Sequence, residues 1–323
     1  NGPVQGIAQG QVAASPNSND IGDLIASSSS VQGVAAQRRA QTAFTPVIRG
    51  FKEGQIYTQS DGAYWLPARQ DLDTILSKLD PADVQDIVII EGPYGLRYGP
   101  AFSFIDVVRK PTPRYDCAEV HNRLGLTFLA NGNQWYARDA VYGGGQNYGF
   151  RFNYGHRLGD DYYDGNSQSI PSGYNNRNVL GDIGFDLSPY QHVEFSYQRL
   201  DVTDTQYYLQ VFDLDLMVTD GWNLRYIDDD PTGPWSRMAL EGWTNRTRFN
   251  GDMTAIAAQR ISQAVSFSQQ IIDAGVPPPP PPGGVTVAGV TDGDVLSSGG
   301  RLGFTFGEVD DIHVNTGGDF RYI

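Results

Sequence analysis

Beyond Lys110-Pro111-Thr112-Pro113 the chain adopts a period of two, and no other feature constrains its fold as strongly. Leu124, Leu126 and Phe128 alternate with Arg123, Gly125 and Thr127. Phe150, Phe152 and Tyr154 alternate with Arg151, Asn153 and Gly155. Val179, Ile183, Phe185 and Leu187 form a third such set, against Asp182, Gly184 and Asp186. Val193, Phe195 and Tyr197 alternate with Glu194, Ser196 and Gln198, and Leu302, Phe304 and Phe306 with Arg301, Thr305 and Gly307. Such a pattern sends one set of side chains to each face of a strand, which a helix cannot do. Clusters such as Asn131-Gly132-Asn133 and Asp160 to Asn166 separate the runs and read as turns. The template yields about seven to nine strands.

Alternation alone does not say what each face meets. In a soluble sandwich the apolar set faces a core and the polar set faces water. In a barrel with a wet lumen the apolar set faces lipid and the polar set faces inward. Three details favour the barrel. Tyrosines stand near strand ends (Tyr136, Tyr142, Tyr148, Tyr154). The runs approach the roughly nine to eleven residues that cross a bilayer at a tilt. The polar set contains arginines and carboxylates, which suit an aqueous interior. No uncharged apolar run nears the eighteen or so residues of a spanning helix. Gly 38, Tyr 18 and Phe 15 in 323 residues fit a barrel with aromatic girdles.

The first third is organised differently. Residues 1–19 are polar and small, and are expected to be a flexible segment. Asp20 is placed to cap a short helix with Ile21, Leu24 and Ile25 on one face. Phe44 to Phe51 and Ala63 to Leu66 read as strands. Asp71 to Leu79 reads as a helix on the spacing of Leu72, Ile75, Leu76 and Leu79. Pro81 suits the first turn of another, after Asp80. Ile87 to Ile90 reads as a buried strand, and Ile105 to Val108 closes a compact α/β unit over residues 20–110. Residues 111–118 are then a linker, and residues 119–323 carry the alternating strands. Pro277 to Pro282 cannot pair inside a sheet, so the segment near 275–295 is expected to be a loop.

A formal net charge of -14 argues against nucleic acid as a partner. Cys117 is the single cysteine, so no disulfide forms within the chain. His121, His156, His192 and His313 form no metal-ligand spacing. Asp160-Asp161 and Asp228-Asp229-Asp230 lack the glycine and spacing of a calcium loop. Gly143-Gly144-Gly145 is followed by no Lys-Ser/Thr and no helix start, so it is not a phosphate loop. The sequence therefore predicts no catalytic group, no metal and no cofactor.

Three short motifs carry a resemblance. They are Ile48-Arg49-Gly50-Phe51, Asp61-Gly62-Ala63-Tyr64 and the Gly92-Pro93 to Tyr98-Gly99 segment. Together they resemble the plug domain of TonB-dependent outer-membrane receptors, and the later residues resemble the early barrel strands in style. The resemblance implies a mainly β protein. An N-terminal α/β plug domain is followed by antiparallel strands of a transmembrane β-barrel. Plugged barrels have about 22 strands, so the chain is expected to be an N-terminal portion with only the first seven to nine.

The implied function is energised uptake of a bulky scarce ligand, such as a ferric siderophore or cobalamin, across the cell outer membrane. The implied partners are a TonB-type periplasmic energy-transducing protein, a small-molecule or metal-chelate ligand and outer-membrane lipid. The family's apical plug loops touch ligand. Carried onto this chain, they offer Gly54, Gln55, Tyr57, Tyr64, Trp65 and Tyr98 as ligand-binding residues. Arg49 is expected to bond barrel-wall carboxylates or plug backbone. The docking box of the family has no clear counterpart here; Gly6-Ile7-Ala8 or Gln11-Val12-Ala13 could serve. Two rival readings remain: a non-energised outer-membrane channel or surface receptor that keeps the plug, and a soluble β-rich carbohydrate-active enzyme.

Overall fold

A computed structural model describes residues 4–7, 20–27, 33–41, 43–51, 55–65, 75–92, 101–207, 213–252, 290–307 and 314–322. The first unit is a five-stranded sheet. It contains β1 (Val4–Ile7), β4 (Ile56–Ser60), β5 (Ala63–Tyr64), β6 (Val84–Glu91) and β7 (Ser103–Arg109), in the order β1-β6-β7-β4-β5. The pair β4–β7 is parallel and the other pairs are antiparallel. A separate hairpin, β2 (Val34–Ala40) and β3 (Ala43–Ile48), stands beside it. The helix α1 spans Ile21–Ser27. Asp20 starts it, its Oδ1 accepting from the Asp23 amide at 2.9 Å.

The expectation of a flexible residue 1–19 segment is corrected for part of its length. Val4 to Ile7 pair with Ile90 to Ile87, and Ile7 is fully buried. Gly6-Ile7, part of one of the two stretches offered as a docking box, supply one more strand to the sheet. The short alternating-free stretch gave no periodic signal, but a neighbouring strand edge was there to pair with it. Of the helix expected over Asp71 to Leu79, residues 71–74 lie outside the described residues and Ile75–Ser77 form one 3-10 turn. At Pro81–Asp83 a second 3-10 turn forms where a helix start was expected, capped by Asp80, whose Oδ1 accepts from the Ala82 amide at 2.8 Å.

The apolar core belongs to this first unit. Ile21, Leu24 and Ile25 of α1 meet Phe44, Ile48, Leu76, Leu79, Ile87, Ile89, Ile105 and Val107. Two wall residues, Leu180 and Leu200, close it from outside.

The second unit is a nine-stranded antiparallel meander. Its strands are β8 (Glu119–Leu129), β9 (Gln134–Gly144), β10 (Tyr148–Gly159), β13 (Tyr174–Ser188), β14 (Gln191–Thr205), β15 (Asp213–Asp228), β16 (Arg237–Asp252), β17 (Val290–Phe306) and β18 (Val314–Tyr322). A two-residue pair, β11 (Tyr162–Tyr163) with β12 (Ser169–Ile170), decorates the connection after β10. Among the described residues β8 and β18 are the two edges of this sheet. The Pro277 to Pro282 segment lies outside the described residues.

The two faces of the meander differ as the alternation requires. Leu124, Leu126, Phe152, Ile183, Phe185 and Phe195 are all exposed, on the side away from the first unit. Asn153, Asp182, Ser196, Gln198, Asn223, Glu241 and Asn245 are buried on the opposite side. Polar residues are inside and apolar ones outside, the inverse of a soluble sandwich. Tyr136 departs from the sequence reading. It is 4% exposed, faces inward and packs under Arg157, whose guanidinium lies 4.4 Å from the ring centre. Tyr142 also faces inward, beneath Arg151.

Candidate functional site

The strand directions give the first unit two ends. Near Lys110 the chain leaves β7 for the linker and β8, so Arg109, Asp83 and the Asp61-Gly62 turn lie at the linker end. Gln55, Glu91, Gly92 and Phe102 lie at the opposite, apical end. There the Phe102 amide donates to the Gln55 carbonyl at 3.0 Å, and the Gly92 amide donates to the Phe102 carbonyl at 3.2 Å. The Phe51 and Phe102 rings stack at 4.8 Å, and Phe102 is 57% exposed. Arg49, at φ 49 beside Gly50 at φ 87, pairs with Glu91 at 2.6 Å. This corrects the expectation for Arg49. Its carboxylate partner comes from the plug-like unit itself, not from the wall.

Of the six residues expected to bind ligand, Gly54 and Tyr98 lie outside the described residues. Gln55 is exposed at the apical end. Tyr57 is half-buried, edge-on to Tyr64 at 5.0 Å and to Phe104 at 5.8 Å. Tyr64 and Trp65 are each 2% exposed and do not join an exposed apical patch. The Asp61-Gly62 turn lies at the linker end, so β5 runs back up against the wall. There the Asn245 side-chain amide donates to the Tyr64 carbonyl at 2.8 Å, and Arg321 covers the Tyr64 ring. Burial, helped by Tyr57, raises the Tyr64 hydroxyl above the ordinary phenol range. Trp65 sits in the apolar core. The exposed Phe102, stacked on Phe51, was missed as an apical residue; its signal was the aromatic pattern of Phe102-Ser103-Phe104 just before the last strand of the unit.

The linker-end half of the unit is gripped by the wall at two places. The first is an arginine clamp. Arg123 of β8 donates to the Ala82 carbonyl at 3.2 Å, and Arg138 of β9 reaches Asp80 at 3.1 Å. Arg157 of β10 lies against the carbonyls of Leu79 at 3.3 Å and Lys78 at 3.4 Å. Arg151 donates to the Pro111 carbonyl at 3.3 Å. Lys110 also donates to the Ala82 carbonyl, at 2.7 Å. Burial, with Asp80 alongside, pushes the Asp83 carboxyl well above the usual carboxylate range. Burial, with Arg123 and Arg151 nearby, lowers Lys110.

The second place is a socket for the β4–β5 turn. Asp61 and Gly62 both have positive φ, at 52° and 85°, as a tight two-residue hairpin requires. Arg109 donates from its amide to Asp61 Oδ1 at 2.8 Å and from Nε to Oδ2 at 2.6 Å. Its Nη1 lies 3.1 Å from Asp182 of β13. Arg225 of β15 lies 4.0 Å from Asp61. A Cβ built at Gly62 would stand 2.9 Å from Arg301 Nη1 and 3.2 Å from Glu241 Oε2. Burial alone would lower the Arg109 guanidinium, but Asp182 and Asp61 outweigh it and hold it above its ordinary value. Asp106, which accepts from the Gly62 amide at 3.1 Å, is pushed up to about 6 by burial and by the adjacent Asp61. Beside this contact a cavity of about 300 Å³ is lined by Asp61, Arg109, Lys110, Asp182, Glu194 and Arg225. The arrangement holds one body inside another by charge; it places no nucleophile beside a base.

Residues 1–103 match the family model described as the TonB-dependent receptor plug domain. No curated protein matches the sequence. Among solved structures, a copper transporter, OprC, superposes with a TM-score of 0.80 at 18% identity, over 99% of this chain and 46% of that one. The iron transporter FrpB of Neisseria meningitidis gives 0.70 at 14%, over 99% and 47%. The Serratia marcescens hemophore receptor HasR gives 0.72 at 14%, over 99% and 44%. The chain thus spans about half the length of these solved proteins, and shares their fold.

Proposed function

We propose, for a chain whose residues 1–103 are a TonB-dependent receptor plug domain set against nine barrel strands, that it belongs to an energised outer-membrane transporter. The observation that carries this reading is the inverted wall. Its apolar side chains are exposed on one face, and its polar side chains are buried against the plug on the other. A lipid-facing barrel around a plug needs that inversion. The cargo would be a bulky scarce solute. The fold neighbours carry copper, iron and heme-related names, so a metal ion or metal chelate is the class favoured. The transporter would be bound to a TonB-type periplasmic protein, reside in the outer membrane and catalyse no reaction.

Ligand would be met at the apical end by Gln55, Tyr57 and the exposed Phe102, with Gly54 and Tyr98 proposed beside them on the family resemblance alone. Tyr64 and Trp65 would act there through packing. The test is uptake by cells expressing the full-length protein. Copper(II), ferric enterobactin, heme and cobalamin are offered in turn, with and without the energy-transducing partner. Uptake of one of these that collapses when the partner is deleted is the expected result. Uptake indifferent to the partner would make the protein a passive channel. Binding without uptake in either strain would make it a surface receptor. With the cargo identified, Phe102→Ala or Gln55→Ala should weaken binding by on the order of thirtyfold, equivalent to about 2 kcal/mol.

A further inference from the structure

Between β7 and β8 the chain lies on the inner face of the wall, in a groove made by three glycines. Gly149 of β10 pairs with Gly144 of β9 on one side and with Gly184 of β13 on the other, so the three form one row across the strands. A Cβ at Gly149 would overlap the Pro113 carbonyl oxygen and stand 2.5 Å from Arg114 Nη1. One at Gly184 would overlap the Thr112 hydroxyl, and one at Gly144 would stand 2.8 Å from the Pro113 carbonyl oxygen. The linker therefore occupies the space that side chains would fill in any other row of the wall, a close approach that only glycine permits.

Polar contacts fasten the segment in this groove. Arg114 makes a two-pronged pair with Asp186 of β13, Nε to Oδ2 at 2.7 Å and Nη2 to Oδ1 at 3.0 Å. A planar pair of this kind fixes geometry as well as adding energy. Arg114 Nη1 turns back onto the Thr112 and Pro113 carbonyls, at 3.1 and 3.2 Å. The Thr112 hydroxyl donates to Glu194 of β14 at 3.2 Å. The Tyr115 amide donates to the Gly145 carbonyl at 3.2 Å, and the Gln146 side-chain amide to the Asp116 carbonyl at 2.9 Å. Lys110 belongs to the other body. Its amide donates to the Asp83 carbonyl at 2.9 Å and its ammonium to the Ala82 carbonyl at 2.7 Å. The chain thus passes from the plug's contacts to the wall's at Pro111, whose carbonyl accepts from Arg151 of β10 at 3.3 Å.

We propose that residues 112–116 are a latch that moves with the wall, and that a displaced plug turns at the Lys110–Pro111 junction. This deepens the transporter reading and rests on it, because a transporter has cause to move its plug. A plug drawn out of the wall would come away as far as Pro111 and stop there. It would stay tethered at the point from which it must return, and β8 would not be peeled from the sheet. Arg114 and Asp186 are positioning residues in this scheme. They touch no cargo.

The test gives the full-length, detergent-purified protein a short trypsin pulse at rising urea. Cuts after Lys78 and Arg109 report the plug, cuts after Arg123 and Arg157 report the wall, and the cut after Arg114 reports the latch. The Arg114 cut should rise with the wall cuts. In Gly149→Val, which fills the groove, it should shift to the urea midpoint of the plug cuts. Asp186→Asn keeps both the groove and the trypsin site, removes the paired carboxylate, and should shift the cut the same way should Gly149→Val fail to fold. An Arg114 cut that rises with the plug cuts in the parent, or that stays with the wall cuts in both variants, would overturn the proposal. A second measurement does not depend on the plug unfolding first. With the exposed native thiol removed by Cys117→Ser, Thr112→Cys and Gly184→Cys are joined by a disulfide. Partner-dependent uptake should continue at the parent rate, with or without reductant. Uptake blocked by the disulfide and restored by reductant would overturn the latch. The trypsin pulse needs neither cargo nor energy-transducing partner. The latch can therefore fail while partner-dependent uptake stands, and the reverse.

Discussion

Replacing Arg109 by methionine is the sharpest probe of how the plug is held. The side chain is 8% exposed, and the carboxylates it joins, Asp61 and Asp182, are 7% and 5% exposed. Methionine keeps most of the volume, so the loss is electrostatic and not a cavity. Asp61 would keep the Arg109 amide at 2.8 Å and the distant Arg225 at 4.0 Å. Removing one partner of a buried pair typically costs about 3–5 kcal/mol, because a charge is left uncompensated. The plug should therefore unfold at lower urea in Arg109→Met, by an amount equivalent to about 3 kcal/mol, while the barrel's own melting is unchanged. Plug unfolding can be followed by proteolysis at each urea concentration. The double variant Arg109→Met with Asp61→Asn removes both charges, so it should be less destabilised than the two single effects added. A coupling above about 1 kcal/mol is expected for groups in contact. Additive effects, or a loss in Arg109→Met below about 1 kcal/mol, would refute the view that this buried pair stabilises the plug.

Asp106 should make plug stability depend on pH. Its carboxyl is raised from 3.8 to about 6 in the folded plug, so the folded state binds the extra proton between those values, and stability is highest below about pH 4 and falls as pH rises to about 6. Asp106→Asn should flatten that part of a urea-midpoint-against-pH profile; an unchanged slope would assign it to other groups. Gly62→Val should weaken the plug by about 1–3 kcal/mol, since a branched residue resists φ 85° and its side chain would enter the Arg301–Glu241 pair. Gly50→Val, with a similar φ but open space around its Cβ, should cost only the backbone part, and equal losses by thermal melting would contradict the socket. Leu224→Arg, on the exposed face of β15, should lower barrel stability in lipid by roughly 2–4 kcal/mol if that face meets hydrocarbon, and Leu224→Arg folding as well as the parent in vesicles would argue against it.

The wall was legible in the sequence because its signal is periodic and unidirectional. Asp182, Gly184 and Asp186 against Ile183, Phe185 and Leu187 fix which face each occupies, and a register slip of one residue would reverse both. The capped turns were legible too, since Asp20 and Asp80-Pro81 act through their own neighbours. Val4 to Ile7 were not, because four residues without a periodic pattern become a strand only when β6 offers its edge. The destination of Tyr64 and Trp65 was also hidden. An Asp-Gly turn announces a hairpin, but nothing local says which end of the sheet the turn occupies. That is set by the parallel pairing of β4 with β7, a contact between residues almost fifty positions apart. Arg49 was assigned the wrong partner for the same reason: Glu91 is distant in sequence and adjacent in space.

The plug–wall interface also explains why the charges matter as much as they do. Both polar atoms of Asn153 and of Asn176 are buried with no hydrogen-bond partner among the described residues. Each such group costs about 1–3 kcal/mol relative to a satisfied one. An interface carrying several of them gains little from packing. Most of the plug's apolar core is its own, and among the described residues Leu180 and Leu200 are the wall residues that join it. What fixes the plug is therefore concentrated in a few ionic contacts, and the behaviour of the whole contact follows theirs. Strengthening the packing, for instance by Asn153→Leu with Asn176→Leu, should hold the plug more firmly in urea and slow partner-dependent uptake together. Firmer holding with undiminished uptake would show that the plug moves without parting from β10 and β13.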